Sequence, residues 1–182
     1  MEMLLTLNQL AGFLLASMLI TLAPGPDNLL VLCLGMARGR KPDIAFGLGC
    51  AVGCLNHSLL AALGGSTLIA TSPVAFQALK LAGGLYLMWL GIQAVCQMQD
   101  AACQSVTQAS RESERQLFVR GLLANAINPK VVLFFLAFLP QFVDKSGAPG
   151  GWQIMQLGMV FTVQAALIFS AIGWFAGTIG ER

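Results

Sequence analysis

Charge is what this chain has least of. Only 10% of its 182 residues are Asp, Glu, Lys or Arg, whereas a soluble domain carries about 25%. With 57% of its residues hydrophobic and a mean hydropathy of +0.76, the chain reads as an all-α integral membrane protein. Basic clusters are scarce too. Beyond Arg38-Gly39-Arg40-Lys41 the net charge of +2 offers nothing to grip phosphate, which argues against nucleic-acid binding. The N-terminus has Glu2 in place of a cationic region, and its apolar run is too long for a cleaved leader, so no secretory signal is read. The cysteines are five, Cys33, Cys50, Cys54, Cys96 and Cys103. An odd number, mostly inside apolar runs, gives no disulfide framework and reads as small packing residues.

What the chain does have is long apolar runs, at residues 10–36, 44–70, 76–95, 117–143 and 152–179. Each is long enough to cross about 30 Å of hydrocarbon at about 1.5 Å per residue. Residues 38–43 form a basic turn, residues 71–73 an uncharged one, and residues 144–151 a turn rich in Gly and Pro. Residues 98–116 are polar, without helical periodicity, and read as a cytoplasmic linker between a first unit, 1–97, and a second, 117–182. Seven loop and terminal cations (Arg38, Arg40, Lys41, Arg111, Arg115, Arg120, Arg182) face one, Lys145, on the other side. By the positive-inside rule the N-terminus is expected outside and the C-terminus in the cytoplasm.

Two runs are broken. Leu22-Ala23-Pro24-Gly25-Pro26-Asp27-Asn28 holds two prolines and a glycine and cannot continue a helix. Asn128-Pro129-Lys130 breaks the fourth run in the same way. Pro26 lies 12 residues from Arg38, and Pro129 nine residues from Arg120, in runs of opposite direction. Both breaks therefore fall about 14–18 Å deep, near the bilayer midplane. Paired breaks in two halves are the sequence pointer to an inverted-repeat bundle with a midplane site. Freed N–H groups at the start of each half-helix favour anions.

Asp27 and Lys130 are deep ionisable groups, and such charges pair or face water. Asp27 is read either as a member of the site, alone or paired with Lys130, or as a cap on the second half-helix. Nothing near Lys130 makes it a cap. Lys80 lies near a helix start, where it snorkels to the outer interface. The expected substrate-binding set is Pro24, Gly25, Pro26, Asp27, Asn28, Asn128, Pro129 and Lys130. A zwitterion would set its carboxylate on the freed N–H groups and Lys130, and its ammonium on Asp27, Asn128 or bare carbonyls. Asp27 first and His57 second are the candidates for a coupling proton.

These residues carry a family resemblance. Ala23-Pro24-Gly25-Pro26-Asp27-Asn28-Leu29-Leu30-Val31-Leu32 resembles the first-helix signature of the LysE/RhtB-type amino-acid exporters. Asn125-Ala126-Ile127-Asn128-Pro129-Lys130, followed by Phe134-Phe135-Leu136-Ala137-Phe138-Leu139-Pro140-Gln141-Phe142-Val143, is similar to their fourth helix. Gly83-Gly84-Leu85-Tyr86-Leu87-Met88-Trp89-Leu90-Gly91 resembles their third. The resemblance implies efflux of amino acids or close derivatives from the cytoplasm across a bacterial inner membrane, driven by a cation gradient; no cofactor and no catalysis are expected. It also implies six transmembrane segments, so this chain is expected to hold five of six, its second unit lacking the last helix. Either the sequence is truncated or a partner, such as a second copy in a homo-oligomer, closes the bundle.

The rival readings are weaker. Cys50, Cys54 and His57 fall at i, i+4 and i+7 on one helix face, a stripe that would suit a soft metal and a heavy-metal or thiol-linked exporter. The stripe lacks a carboxylate or a close Cys-x-x-Cys pair, so small packing residues and a hydrogen-bonded histidine are the expected meaning, with no metal. An intramembrane hydrolase needs a nucleophile beside a base, but Ser58 points to a different face from His57. A non-transporting membrane subunit is the remaining alternative.

Overall fold

The computed structural model describes residues 5, 7–71, 73–96, 112–144 and 148–180, and all regular structure among them is helical. The order is α1 (Leu7–Leu22), α2 (Pro26–Arg38), α3 (Arg40–Thr71), α4 (Pro73–Cys96), α5 (Glu114–Ala126), α6 (Pro129–Leu133) and α7 (Gly150–Gly180). After Leu133 the backbone runs on through a π turn, Phe134–Phe138, and a 3-10 turn, Leu139–Phe142. Pro140 explains the wide turn before it: it has no N–H for the carbonyl four residues back, and its ring pushes that carbonyl outward.

Two helices are long and apolar enough to cross a membrane, over Arg40–Gly64 and Gly150–Thr178. The pairs α1 with α2 and α5 with Pro129–Phe142 each qualify as one bent span, at 61° and 50°. The described residues thus hold two to four candidate spans where five are expected, and α4 is not among them.

Two boundaries differ from expectation. Residues 38–43 are not an open turn, because only Gly39 separates α2 from α3. Its φ of 83° and ψ of −173° belong to a region open only to glycine. Pro42 then sits within the first turn of α3, where a missing N–H costs nothing. The linker also ends earlier, at Glu114, because Ser113 and Gln116 form a capping box. Residues 98–111 of that linker lie outside the described residues.

α3 is the central post, packed chiefly on α5 and α7. Small residues allow the approach. A Cβ on Gly49 would run into the Phe118 carbonyl of α5, one on Gly53 would lie 2.9 Å from Asn125 Oδ1, and one on Gly121 would strike the Phe46 carbonyl of α3. Without a hydrophobic drive between helices in lipid, such close backbone contact supplies the packing energy. The matching order of these contacts makes α3 and α5 parallel. The pairs Asp43–Gly173, Gly47–Phe169 and Ser58–Gly158 make α7 antiparallel to both. Arg38, Arg40 and Arg120 consequently share one end of the bundle, where Arg38 donates to the Glu112 carbonyl at 3.0 Å and Arg120 pairs with Glu112 at 3.1 Å. At the other end Gln9 of α1 ties the Phe142 carbonyl to Gln153 of α7, at 2.9 and 3.2 Å.

Candidate functional site

Each break leaves orphan carbonyls on the helix that stops and orphan N–H groups on the helix that starts. At the first break α2 begins at Pro26 with Gly25 as an N-cap that has no side chain to offer. The carbonyls at the end of α1 are met from elsewhere. Asn28 Nδ2 donates to Thr21 O at 2.7 Å and to Ala23 O at 3.3 Å. Lys130 Nζ, from α6, donates to Ala23 O at 3.0 Å. A cation at a helix C-terminus is where the macrodipole favours it. Gly25 makes the approach feasible, since a Cβ there would lie 2.9 Å from Lys130 Nζ.

At the second break Asn128 is the N-cap of α6, its Oδ1 accepting from Lys130 N at 3.0 Å. Its Nδ2 crosses to the first break and donates to Asp27 Oδ2 at 2.7 Å. Asp27 is therefore not the cap of α2. It sits in the first turn, buried, and its bond goes to the partner break. No ion pair joins Asp27 to Lys130 among the described residues: the two charges line the same cavity, one held by Asn128 and the other by Ala23.

That cavity has a volume of about 20 Å³ and is bounded by Thr21, Asp27, Asn28, Asn125 and Lys130 on its polar side. Ile20, Cys54, Val131, Phe134, Phe161, Ala165 and Phe169 complete the wall. That leaves room for about one water. The rings are interlocked, with Phe161 centroids 5.2 Å from Phe134 and 5.0 Å from Phe135.

Of the expected residues, Asp27, Asn28 and Lys130 line this cavity, and Asn128 is buried beside it, joining the two breaks. Pro26 and Pro129 are exposed at the first positions of their helices, so they start half-helices without walling the cavity. Pro24 and Gly25 are half-buried in the break itself. His57 lies one contact away, its Nε2 donating to the Asn125 carbonyl at 3.1 Å and thereby satisfying an end of α5. Cys50 and Cys54 are buried, and Cys54 Sγ bonds the Cys50 carbonyl at 3.5 Å and Asn125 Oδ1 at 3.7 Å. Among the described residues no three His, Cys, Asp or Glu side chains stand close enough to hold a metal.

The cavity also depends on residues that sequence reading passes over. Gln164 of α7 is buried and donates to Thr21 Oγ1 at 2.7 Å, while its own Oε1 and Asn28 Oδ1 are buried acceptors with no partner among the described residues. The signal was an amide in the middle of the most apolar run. Asn125 was visible as the first residue of the fourth-helix block, without its two bonds.

The family follows from comparison with known proteins. The family description "LysE type translocator" matches residues 18–182. A leucine efflux protein of Klebsiella pneumoniae is 33% identical over 154 residues, covering 83% of this chain and 71% of the relative. A homoserine/homoserine lactone efflux protein of Salmonella typhimurium is 35% identical over 133 residues, covering 72% and 63%. An uncharacterized membrane protein of Vibrio cholerae is 32% identical over 161 residues, covering 87% and 76%. No solved structure matches. On the extent of these matches the chain belongs to the LysE type translocator family, whose members are membrane transporters and not enzymes.

Proposed function

We propose that this protein exports amino acids or close derivatives across a bacterial inner membrane by alternating access, exchanging them for a cation. The observation that carries the reading is the crossed contact of the two breaks: Asn128 bonded to Asp27, and Lys130 bonded to Ala23, around one buried cavity. A zwitterion fits that polarity. Its carboxylate displaces the Ala23 carbonyl from Lys130, and its ammonium meets Asp27 together with the unpartnered oxygens of Asn28 and Gln164. The apolar wall of Ile20, Val131, Phe134 and Phe161 suits an aliphatic side chain, in keeping with relatives named for leucine and homoserine. Because the closed cavity takes about one water, a substrate enters only when the two units, 1–97 and 117–182, rock apart around the breaks. Pro24, Gly25, Pro26 and Pro129 act as the hinges that keep the half-helices separate. Asp27 and His57 are the groups near the cavity able to change charge with a coupling proton. The cationic end, with Arg38, Arg40 and Arg120, faces the cytoplasm and the N-terminus lies outside.

The test is an efflux assay in cells preloaded with leucine, homoserine and a panel of other amino acids. The chain is expected to lower the internal level of at least one aliphatic or hydroxylated amino acid, and Lys130→Met is expected to abolish that efflux while still inserting in the membrane. Undiminished efflux from Lys130→Met defeats the site, and no efflux of any panel member defeats the function.

A further inference from the structure

Asp43 lies away from the cavity, in the first turn of α3, and is fully buried. Neither of its carboxyl oxygens has a hydrogen-bond partner among the described residues. Two other helices close directly on it. A Cβ on Gly35 of α2 would stand 2.5 Å from Asp43 Oδ2, and one on Gly173 of α7 would stand 2.6 Å from it. Three helices thus meet at a carboxyl group through glycines that leave it no clearance.

Among the described residues no charged side chain forms an ion pair with it. On α3 itself, the Arg40 guanidinium lies 4.3 Å over the Trp174 ring and donates to Thr178 Oγ1 at 3.2 Å, and Lys41 is exposed. On α2 the titratable groups are Asp27 and Cys33, with Arg38 donating to the Glu112 carbonyl. α7 has no titratable side chain at all. The dipole of α3 favours negative charge in its first turn, but it supplies no donor to either oxygen. A carboxylate stripped of water without donors is far costlier than that gain, so the group is neutral as long as the three helices are closed.

We propose that Asp43 is a proton-binding site that latches one end of the bundle. With the proton on, α2, α3 and α7 close over a neutral carboxyl. With the proton passed to water, the carboxylate requires hydration and the three helices part. A proton is the one cation that fits, because Gly35 and Gly173 leave no volume for an ion. A metal would also need several oxygen ligands, and no such group stands there among the described residues. The proton site rests on this geometry alone. Its use as a gate on export rests on the function proposed above.

The experiment uses the full chain in lipid nanodiscs with Trp89→Phe and Trp152→Phe, so that Trp174, stacked under Arg40, is the reporter. Fluorescence is titrated from about pH 5 to about pH 9. A single-proton transition is expected, lost in Asp43→Asn and displaced along the pH axis in Asp43→Glu, with thermal unfolding showing both variants folded. A transition unchanged in Asp43→Asn overturns the proposal, as does a parent protein with no transition. In the cell assay Asp43→Asn is expected to lose the dependence of efflux on external pH. A parent that exports nothing sinks the transport reading, and the fluorescence result still decides the proton site.

Discussion

Between α5 and α6 a single side chain does most of the work: Asn128 caps the helix it starts and still has a donor left for Asp27. Between α1 and α2 the N-cap is a glycine, and the exposed carbonyls of α1 are satisfied by Asn28 from the next helix and Lys130 from the other pair. The second break supplies its own cap and takes one outside donor, His57 of α3 on the Asn125 carbonyl, whereas the first has no side-chain cap and takes Lys130 from the other pair. Pairing a capped break with an uncapped one links the two half-helix pairs, because the first loses a donor to its carbonyls if the second withdraws. It also places the Lys130 ammonium on Ala23 O at the wall of the buried cavity, where the proposed function sets a substrate carboxylate.

That asymmetry can be tested in order of expected effect. Lys130→Met removes the bond from the second pair to Ala23 O at the end of α1, along with the cation proposed for the substrate. With efflux lost, substrate binding to the protein in nanodiscs, read by calorimetry, is expected to weaken by about 2–5 kcal/mol, beyond about thirtyfold. Asn128→Ala removes a cap worth about 1 kcal/mol and a bond to a charged group worth about 1.5–3 kcal/mol. Asn28→Ala, which touches only the first break, is expected to cost about 1–3 kcal/mol. Thermal unfolding in detergent ranks the two, and a larger loss for Asn28→Ala breaks the comparison. A double-mutant cycle of Asp27→Ala with Asn128→Ala is expected to give a coupling of about 1–3 kcal/mol, and additive losses dissolve the bridge between breaks. Smallest is Gly25→Ala. The φ of −165° suits alanine, and the Cβ meets only the flexible end of Lys130, so stability is expected to change by less than about 1 kcal/mol. A measurable shift in substrate affinity would then report a displaced ammonium.

The breaks were legible in the sequence because proline and glycine act locally: Pro24, Gly25, Pro26 and Pro129 end helices wherever the chain puts them. Asp27 and Lys130 were legible because a deep charge in an apolar run demands a reason. The helix start at Glu114 was equally readable from Ser113 and Gln116, a local signal too. Gln164, Thr21 and Asp43 were not. In helices apolar all round, periodicity does not say which face meets the cavity, so these roles follow only from how α7 lies against α1 and α3. Asp43 was further disguised by Gly39. A basic, glycine-containing stretch resembles a loop, and only the positive φ shows that one residue reverses the chain.

That one-residue reversal has a mechanical meaning. A connection of several residues absorbs relative motion, but Gly39, whose N–H is already bonded to the Gly35 carbonyl at 3.0 Å, has no length to give. α2 and α3 are tied at one end by a joint of a single residue, with Asp27 at the far tip of one arm and Asp43 beside the joint, so any parting of the two helices must open from the Asp27 end or turn at Gly39 itself.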